Sequence, residues 1–116
     1  KCLVVCLTDA SAVCVKSDHF RLAERYIKCF VSIADSHDDL GQIEKEDRFL
    51  EKQKEIIIGI IEHRPDTAID VIDLVEDFAT ADKWLKFQVE LGSAIADLYD
   101  NNSITPETFD RIHKRI

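Results

Sequence analysis

Methionine is absent from this chain of 116 residues, which also has only three glycines, two prolines and one tryptophan. Because even an initiator methionine is missing, we expect a piece cut from, or processed out of, a longer protein. The scarcity of glycine and proline disfavours a fold rich in β-turns and favours long helices or strands. With 46% apolar and 33% charged residues, the chain is too hydrophobic to be disordered. We predict one folded domain over residues 1–116.

The sequence also lacks long apolar runs and has fewer basic than acidic residues. No run reaches the roughly 18 apolar residues that a transmembrane helix needs. The 23 acidic residues outnumber the 15 basic ones and give a net charge of −8. Nucleic acids and anionic membranes both require a basic footprint, so we expect neither as a partner. An acidic chain suits a basic segment of another protein.

The four cysteines fit neither a zinc site nor a redox motif. They are Cys2, Cys6, Cys14 and Cys29. Three of them lie within apolar runs, where a reduced, buried thiol behaves as a small hydrophobic side chain. We expect free thiols, with a disulfide and a metal site as less favoured alternatives. Reduced cysteines favour the cytoplasm or the nucleus as the location.

Apolar residues recur at helical spacing and predict an all-α fold with about six antiparallel helices. The first predicted helix, residues 2–15, is apolar on nearly every side and needs several neighbours, or one from outside the chain. The second runs from a cap at Ser17 or Asp18 to Asp39, with Gly41 as its terminator. It carries two adjacent apolar stripes, as expected for a helix between two neighbours. The second of these stripes comprises Leu22, Tyr26, Cys29 and Ile33.

The chain is organised around residues 49–79, predicted as two helices joined at a corner. The first of them contains the most hydrophobic run of the sequence, five isoleucines and one glycine. Pro65 cannot continue that helix. Asp66 is then predicted to cap the next helix, with Thr67 in its first turn. One side of this next helix is apolar and comprises Ala68, Val71, Ile72, Val75, Phe78 and Ala79.

Two further helices complete the predicted fold. The fifth spans residues 83–100 and carries Trp84 on its core-facing side. The sixth has the clearest start signal in the chain, because Thr105 is a good N-cap and Pro106 suits the first helical position. Short connections between these helices favour antiparallel neighbours.

No group of residues in the sequence indicates an enzymatic site. His37 lies among the acidic residues 35–39, but side chains so close at a helix end diverge and do not converge on a metal. No serine or cysteine has a nucleophile-elbow setting, and there is no glycine-rich phosphate loop. We predict no catalytic residue, no metal and no cofactor. The least favoured alternative is a metal-dependent enzyme that uses His37, His63 or His113 with nearby carboxylates.

The best candidate for function is an acidic stripe on the fourth predicted helix. The stripe comprises Asp66, Asp70, Asp73, Glu76 and Asp77. Its aspartates recur at helical spacing opposite the apolar side, and like charges so spaced cost about a few tenths of a kcal/mol each. A simple solvated face would tolerate that cost. The alternative that we carry forward is a surface that binds a basic segment of a partner protein.

The order of these signals resembles HEAT-type α-solenoids. Residues 18–37 resemble one helix of such a protein, and residues 56–61, the corner at 63–66 and the helix at 71–78 resemble the following helix pair. The resemblance is nearest to transportin-like nuclear transport receptors of the importin-β superfamily. It implies a right-handed stack of helical hairpins whose concave, often acidic face binds cargo and a small GTPase. It assigns no GTPase-contacting residue in this chain.

The sequence leaves two architectures open, an α-solenoid-like stack and a compact helical bundle. For either one we predict a non-catalytic protein–protein interaction or scaffold domain. The resemblance implies part of a nuclear transport receptor. The alternative is a compact six-helix signalling adaptor of death-fold type that associates with itself, so a homodimer is also open.

Overall fold

A computed structural model of the chain describes residues 3–35 and 47–116. Every regular element within these ranges is an α-helix, which confirms the predicted all-α class. The helices are α1 (Leu3–Lys16), α2 (Phe20–Asp35), α3 (Asp47–Ile60), α4 (Pro65–Phe78), α5 (Ala81–Asp100) and α6 (Pro106–Arg115). Asp39 and Gly41, which were predicted to end the second helix, lie outside the described residues, as does His37.

The helices pack as three successive hairpins in two layers. Helix α1 pairs with α2, α3 with α4, and α5 with α6. In one layer α3 contacts both α1 and α5, and in the other α4 contacts both α2 and α6. The Cα radius of gyration is 13.3 Å, as expected for a compact domain of this size. The fold is therefore a helical bundle whose central hairpin, α3–α4, is the one predicted from residues 49–79.

The core is built mainly on the isoleucines of α3 and the residue that follows it. Four of them have no exposed surface, namely Ile56, Ile57, Ile60 and Ile61. The apolar side of α4 packs against them with Ala68, Val71, Ile72 and Val75, which are also fully buried. Burying a side chain of this size contributes about 1.5–3 kcal/mol. Helical periodicity predicted this side of both helices correctly.

Helix α1 buries two polar residues among the apolar ones on its inner side and leaves other apolar residues exposed. Gln53 of α3 is fully buried, and its Nε2 donates to Oγ1 of buried Thr8 at 3.1 Å. The hydroxyl of buried Ser11 donates to the carbonyl oxygen of Leu7 at 2.8 Å. In contrast, Val13 is 63% exposed. The inward side of α1 is thus partly polar but hydrogen-bonded, and an apolar side remains in contact with solvent.

The turn between α1 and α2 differs from the prediction, because Asp18 ends α1 and does not cap α2. Its φ of 61° is left-handed. The N–H of Asp18 donates to the carbonyl of Val15 at 3.2 Å, and that of His19 to Cys14 at 2.8 Å. This pair of bonds is a Schellman motif, in which the left-handed residue follows the helix end. Aspartate tolerates that conformation better than most residues other than glycine.

The start of α4 also differs from the prediction. The helix begins at Pro65, so Asp66 lies in its first turn and Arg64 holds the N-cap position without a side-chain cap. The reason is that proline has a φ suited to the first helical position, where its missing N–H costs nothing. The remaining caps agree better with the sequence. Thr105 caps α6 by accepting from the N–H of Thr108 at 3.2 Å.

Replacing Ile57 by aspartate should unfold the domain. The carboxylate would be buried without a partner, because Ile57 has no exposed surface, and this costs several kcal/mol. Circular dichroism and thermal unfolding would measure the effect. Leu85→Asp is the matched control, since Leu85 is 62% exposed and its replacement should preserve helicity. An unchanged melting curve for Ile57→Asp would contradict the placement of the core.

The two helical glycines in the described hairpins should respond oppositely to alanine. A Cβ at Gly59 would overlap Cγ1 of Val15, whereas one at Gly92 would lie 3.7 Å from Cδ1 of Ile116. Overpacking costs about 1–3 kcal/mol, while alanine gains about 0.5–1 kcal/mol over glycine within a helix. We expect Gly59→Ala to lower the urea midpoint and Gly92→Ala to raise it. Equal midpoints would show that α1 does not depend on close approach at Gly59.

Candidate partner-binding surface

The acidic stripe lies on the side of α4 that faces away from the core, toward α6 and α2. Asp66, Asp70, Glu76 and Asp77 are exposed, and Asp73 is partly exposed. Helical spacing explains this placement, because the fully buried positions of the same helix, Ala68, Val71, Ile72 and Val75, lie on the opposite side. The sequence thus placed the five carboxylates on one exposed side of one helix.

The first part of the stripe is already paired with basic side chains of the same chain. Arg111 forms an ion pair with Asp66, and Arg115 forms one with Asp73. Both arginines lie on α6, one helical turn apart, and α6 runs alongside α4 in the same direction. Exposed ion pairs contribute about 0–1 kcal/mol each. They therefore add little to the stability of the contact between α4 and α6.

Helix α6 is anchored chiefly by apolar contacts with α5. Ile112 is fully buried, and the rings of Phe109 and Tyr99 stack with centroids 4.5 Å apart. The amide Nε2 of Gln88 also donates to the backbone carbonyl of Ile116 at 2.9 Å. Burial of Ile112 alone outweighs either ion pair, so the arginines act on a helix that is already held in place.

Asp70 lies in a less favourable electrostatic setting than its neighbours. Partial burial raises the pKa of its carboxyl group, and the negative charge of Asp66 raises it further. Lys28 of α2 acts in the opposite sense but with a smaller effect. Ionised Asp70 is therefore mildly unfavourable in the folded domain.

The second part of the stripe carries unpaired negative charge. Glu76 and Asp77 are exposed, and within residues 3–35 and 47–116 neither forms an ion pair. Together with Asp70 they form the free carboxylates of the stripe. These three are the exposed carboxylates of the stripe that Arg111 and Arg115 do not pair.

The junction between α2 and α4 shows a related pairing. Glu24 accepts a hydrogen bond from Thr67 Oγ1 at 2.9 Å, and its Oε2 lies 3.5 Å from Nε of Arg64. In the layer formed by α2, α4 and α6, each contact pairs an acid of the earlier helix with a base of the later one. Glu24 of α2 faces Arg64, which immediately precedes α4, and Asp66 of α4 faces Arg111 of α6. The carboxylate of Glu24 thus joins two hairpins.

The histidines and cysteines of the described segments form no candidate metal centre. The ring of His63 stacks on Phe20 with centroids 3.8 Å apart, and that of His113 stacks on Phe109 at 5.7 Å. No group of three potential ligands that could hold a metal occurs within these segments. Three cysteines are free thiols, of which Cys14 is buried while Cys6 and Cys29 are exposed. The expectation that apolar runs bury their thiols was wrong for the latter two.

An apolar surface lies at the outer side of the first hairpin, and we call it the N-terminal face. Sequence reasoning missed the part that α2 contributes. The face comprises Leu3, Cys6 and Val13 of α1 with Leu22 and Cys29 of α2, all of which are exposed. By helical phase, the α1 residues lie opposite the side that meets α3, and the α2 residues opposite the side that meets α4. The stripe containing Leu22 and Cys29 was expected between two helices. The excess of apolar residues in α1 had indicated that this helix needs several neighbours or one from outside the chain.

A smaller apolar surface lies at the other end of the bundle and is called the C-terminal face. It comprises Leu85 and Val89 of α5, which are 62% and 65% exposed. Both point away from α3, because the opposite side of α5 carries Phe87 and Glu90 toward that helix. Trp84 is half-buried against the core, as predicted, with its ring stacked on Phe87 at 5.9 Å.

Comparison of the chain with known protein families, with curated proteins and with solved structures found no match. None of the helices described here is both long enough and apolar enough to cross a membrane. The candidate surfaces therefore have to be judged by their own chemistry.

Neutralising Asp70 and Asp73 should change stability in opposite directions. Asp70→Asn removes a carboxyl group whose pKa is raised in the folded domain. Because the charged form of this group is disfavoured by folding, its removal should leave the free energy of unfolding at neutral pH unchanged or slightly higher. In the unmodified chain, protonation of Asp70 at lower pH should act in the same direction. Asp73→Asn removes the partner of Arg115 and should cost up to about 1 kcal/mol. Urea unfolding at neutral pH measures both. A larger loss for Asp70→Asn would contradict the pairing.

Proposed function

We propose that this chain is a non-catalytic protein–protein interaction domain that binds a basic segment of another protein through the acidic stripe. The observation that carries this proposal is the pairing of Asp66 with Arg111 and of Asp73 with Arg115. The stripe already accommodates arginines spaced one turn apart on a helix. A helical partner with the same spacing would find matching chemistry.

The free carboxylates of the stripe would form the contact with the partner. Asp70, Glu76 and Asp77 are exposed, and α6 leaves their charges unneutralised. A basic segment at this position would relieve the unfavourable setting of Asp70, because an opposite charge lowers the pKa of a carboxyl group. Binding of this kind depends on charge and should weaken as salt is added.

The wider setting of such a domain would be a scaffold or a nuclear transport receptor in the cytoplasm or the nucleus. The ordered stacking of three hairpins in two layers supports this setting, since in helical repeat proteins each unit contacts mainly its neighbours. The free thiols of Cys6, Cys14 and Cys29 suit the reducing conditions of those compartments.

Reversing the three free carboxylates tests the proposed contact. The variant Asp70→Lys, Glu76→Lys, Asp77→Lys spares Asp66 and Asp73, which form ion pairs with arginines of α6. The probe is a fluorescent synthetic helical peptide with arginines at every fourth position, titrated by anisotropy at low and physiological salt. We expect the affinity to fall at least about tenfold, since three exposed ion pairs would be replaced by repulsion.

The matched control carries the same change in net charge away from the stripe, as Glu62→Lys, Asp97→Lys, Asp100→Lys. These three acids are exposed and lie on other parts of the bundle. The control should lose much less affinity than the stripe variant. Equal losses would mean that the peptide responds to net charge only, and the proposal would then be wrong.

A further inference from the structure

The N-terminal face extends along the outer side of the α1–α2 hairpin. The two helices are antiparallel and joined by a tight turn, so residues about equally far from that turn lie side by side. Val13 therefore lies level with Leu22, and Cys6 lies level with Cys29. These two levels are separated by two helical turns, which is about 10 Å. The length of the face thus matches two turns of a helix laid along the hairpin.

Within the described part of the chain, no other helix covers the apolar residues of this face. Leu3 is 57% exposed, Val13 63% and Leu22 41%. Singly exposed apolar residues are ordinary, but these lie together with the exposed thiols of Cys6 and Cys29 on one side of one hairpin. Clustered apolar exposure of this kind is typical of a binding surface.

The edge of the face that α2 provides is basic. Arg21, Arg25 and Lys28 are exposed, and the two arginines lie one helical turn apart. Neither arginine forms an ion pair within the described segments, whereas Lys28 lies 3.8 Å from Glu24. Glu24 is the only acid between residues 20 and 34, and its carboxylate contacts residues at the start of α4. This edge is therefore positively charged, although the chain has a net charge of −8.

A cleft at the start of α2 brings basic and apolar side chains together. It is lined by residues 18–22, Arg25 and Arg64. Because Leu22 belongs to the N-terminal face, the cleft opens at one end of that face. Its three arginines outnumber its one acid, Asp18. A carboxylate of a partner placed in the cleft would meet guanidinium groups, which bind carboxylates through paired hydrogen bonds.

We propose that the N-terminal face binds an acidic amphipathic helix of another protein. Apolar side chains of that helix, at positions i, i+3, i+4 and i+7, would cover the face along its length. Acidic side chains on the flank toward α2 would pair with Arg21 and Arg25. The other flank would lie over α1, whose one acid, Asp9, is half-buried.

A folded second copy of this chain does not supply such a helix. Its acidic helix is α4, whose apolar side is buried within its own core. Its C-terminal face, Leu85 and Val89, spans only one helical turn and has exposed Lys86 beside it, which would repel a basic edge.

The proposed helix is also opposite in charge to the basic segment proposed for the acidic stripe. The two proposals therefore concern different surfaces and different partners, and either one can fail while the other stands.

Titration of the unmodified chain with a fluorescent synthetic peptide tests the proposal. The peptide carries leucines at the spacing given above and glutamates on one flank, and anisotropy measures its affinity up to millimolar protein. One control peptide has the same composition in scrambled order, and another has glutamines in place of the glutamates. We expect the acidic amphipathic peptide to bind at least about tenfold more tightly than either control.

Two variants of the chain separate the apolar and the charged contributions. Val13→Gln removes apolar surface at a highly exposed position and should weaken binding about threefold to tenfold at any salt concentration. Arg21→Glu, Arg25→Glu reverses the basic edge and should weaken binding at least about tenfold, with a smaller effect at high salt. Circular dichroism verifies that both variants remain helical.

The matched control is Lys86→Glu, Lys114→Glu, which changes the net charge equally at exposed positions of α5 and α6. It should bind the acidic peptide nearly as well as the unmodified chain does. Equal losses in this control and in the arginine variant would overturn the proposal, because the peptide would then respond to net charge alone.

Three further results would also overturn the proposal. The first is an acidic peptide that does not bind up to millimolar protein. The second is a scrambled peptide that binds as tightly as the amphipathic one. The third, measured by light scattering after size exclusion, is an unmodified chain that dimerises and a Val13→Gln variant that does not, since a second copy would then cover the face.

Discussion

Packing around the isoleucines of α3 is the constraint on which the rest of the structure depends. Helices of 10–20 residues are marginal alone in water and gain their stability from burial of an apolar side. Helix α3 provides that burial for three neighbours, because α1, α4 and α5 all contact it. Gly59 lets α1 approach closely, since a Cβ there would overlap Val15. The position of every other helix follows directly or through one intermediate neighbour.

Ion pairs between α4 and α6 add charge complementarity to this packing. The pairs between Asp66 and Arg111 and between Asp73 and Arg115 are exposed and individually weak. They nevertheless place a basic helix beside an acidic one and leave three carboxylates of the stripe free. Different side chains of the stripe thus serve the fold and the proposed contact with a basic partner, which is why the proposed test spares Asp66 and Asp73.

The exposed apolar residues of α1 give the domain a hydrophobic surface in addition to the acidic one on α4. A buried hydrogen bond from Gln53 Nε2 to Thr8 Oγ1 offsets part of the cost of placing a polar residue of α1 inward. Within the described residues, Oε1 of Gln53 is buried without a hydrogen-bond partner. Leu3 and Val13 are then left in contact with solvent. These exposed apolar residues of α1 and the acidic stripe of α4 are separate surfaces of the domain.

Local patterns in the sequence determined the helices, the core side of α3 and α4, the cap at Thr105 and the exposure of the acidic stripe. These features depend on residues a few positions apart, so their spacing can be read directly along the sequence. Only the tertiary structure decided that Arg111 and Arg115 meet the stripe, that Glu24 joins two hairpins, and which side of α1 stays open. Such contacts join residues about 40 positions apart, and many pairings satisfy the same periodicity until packing selects one.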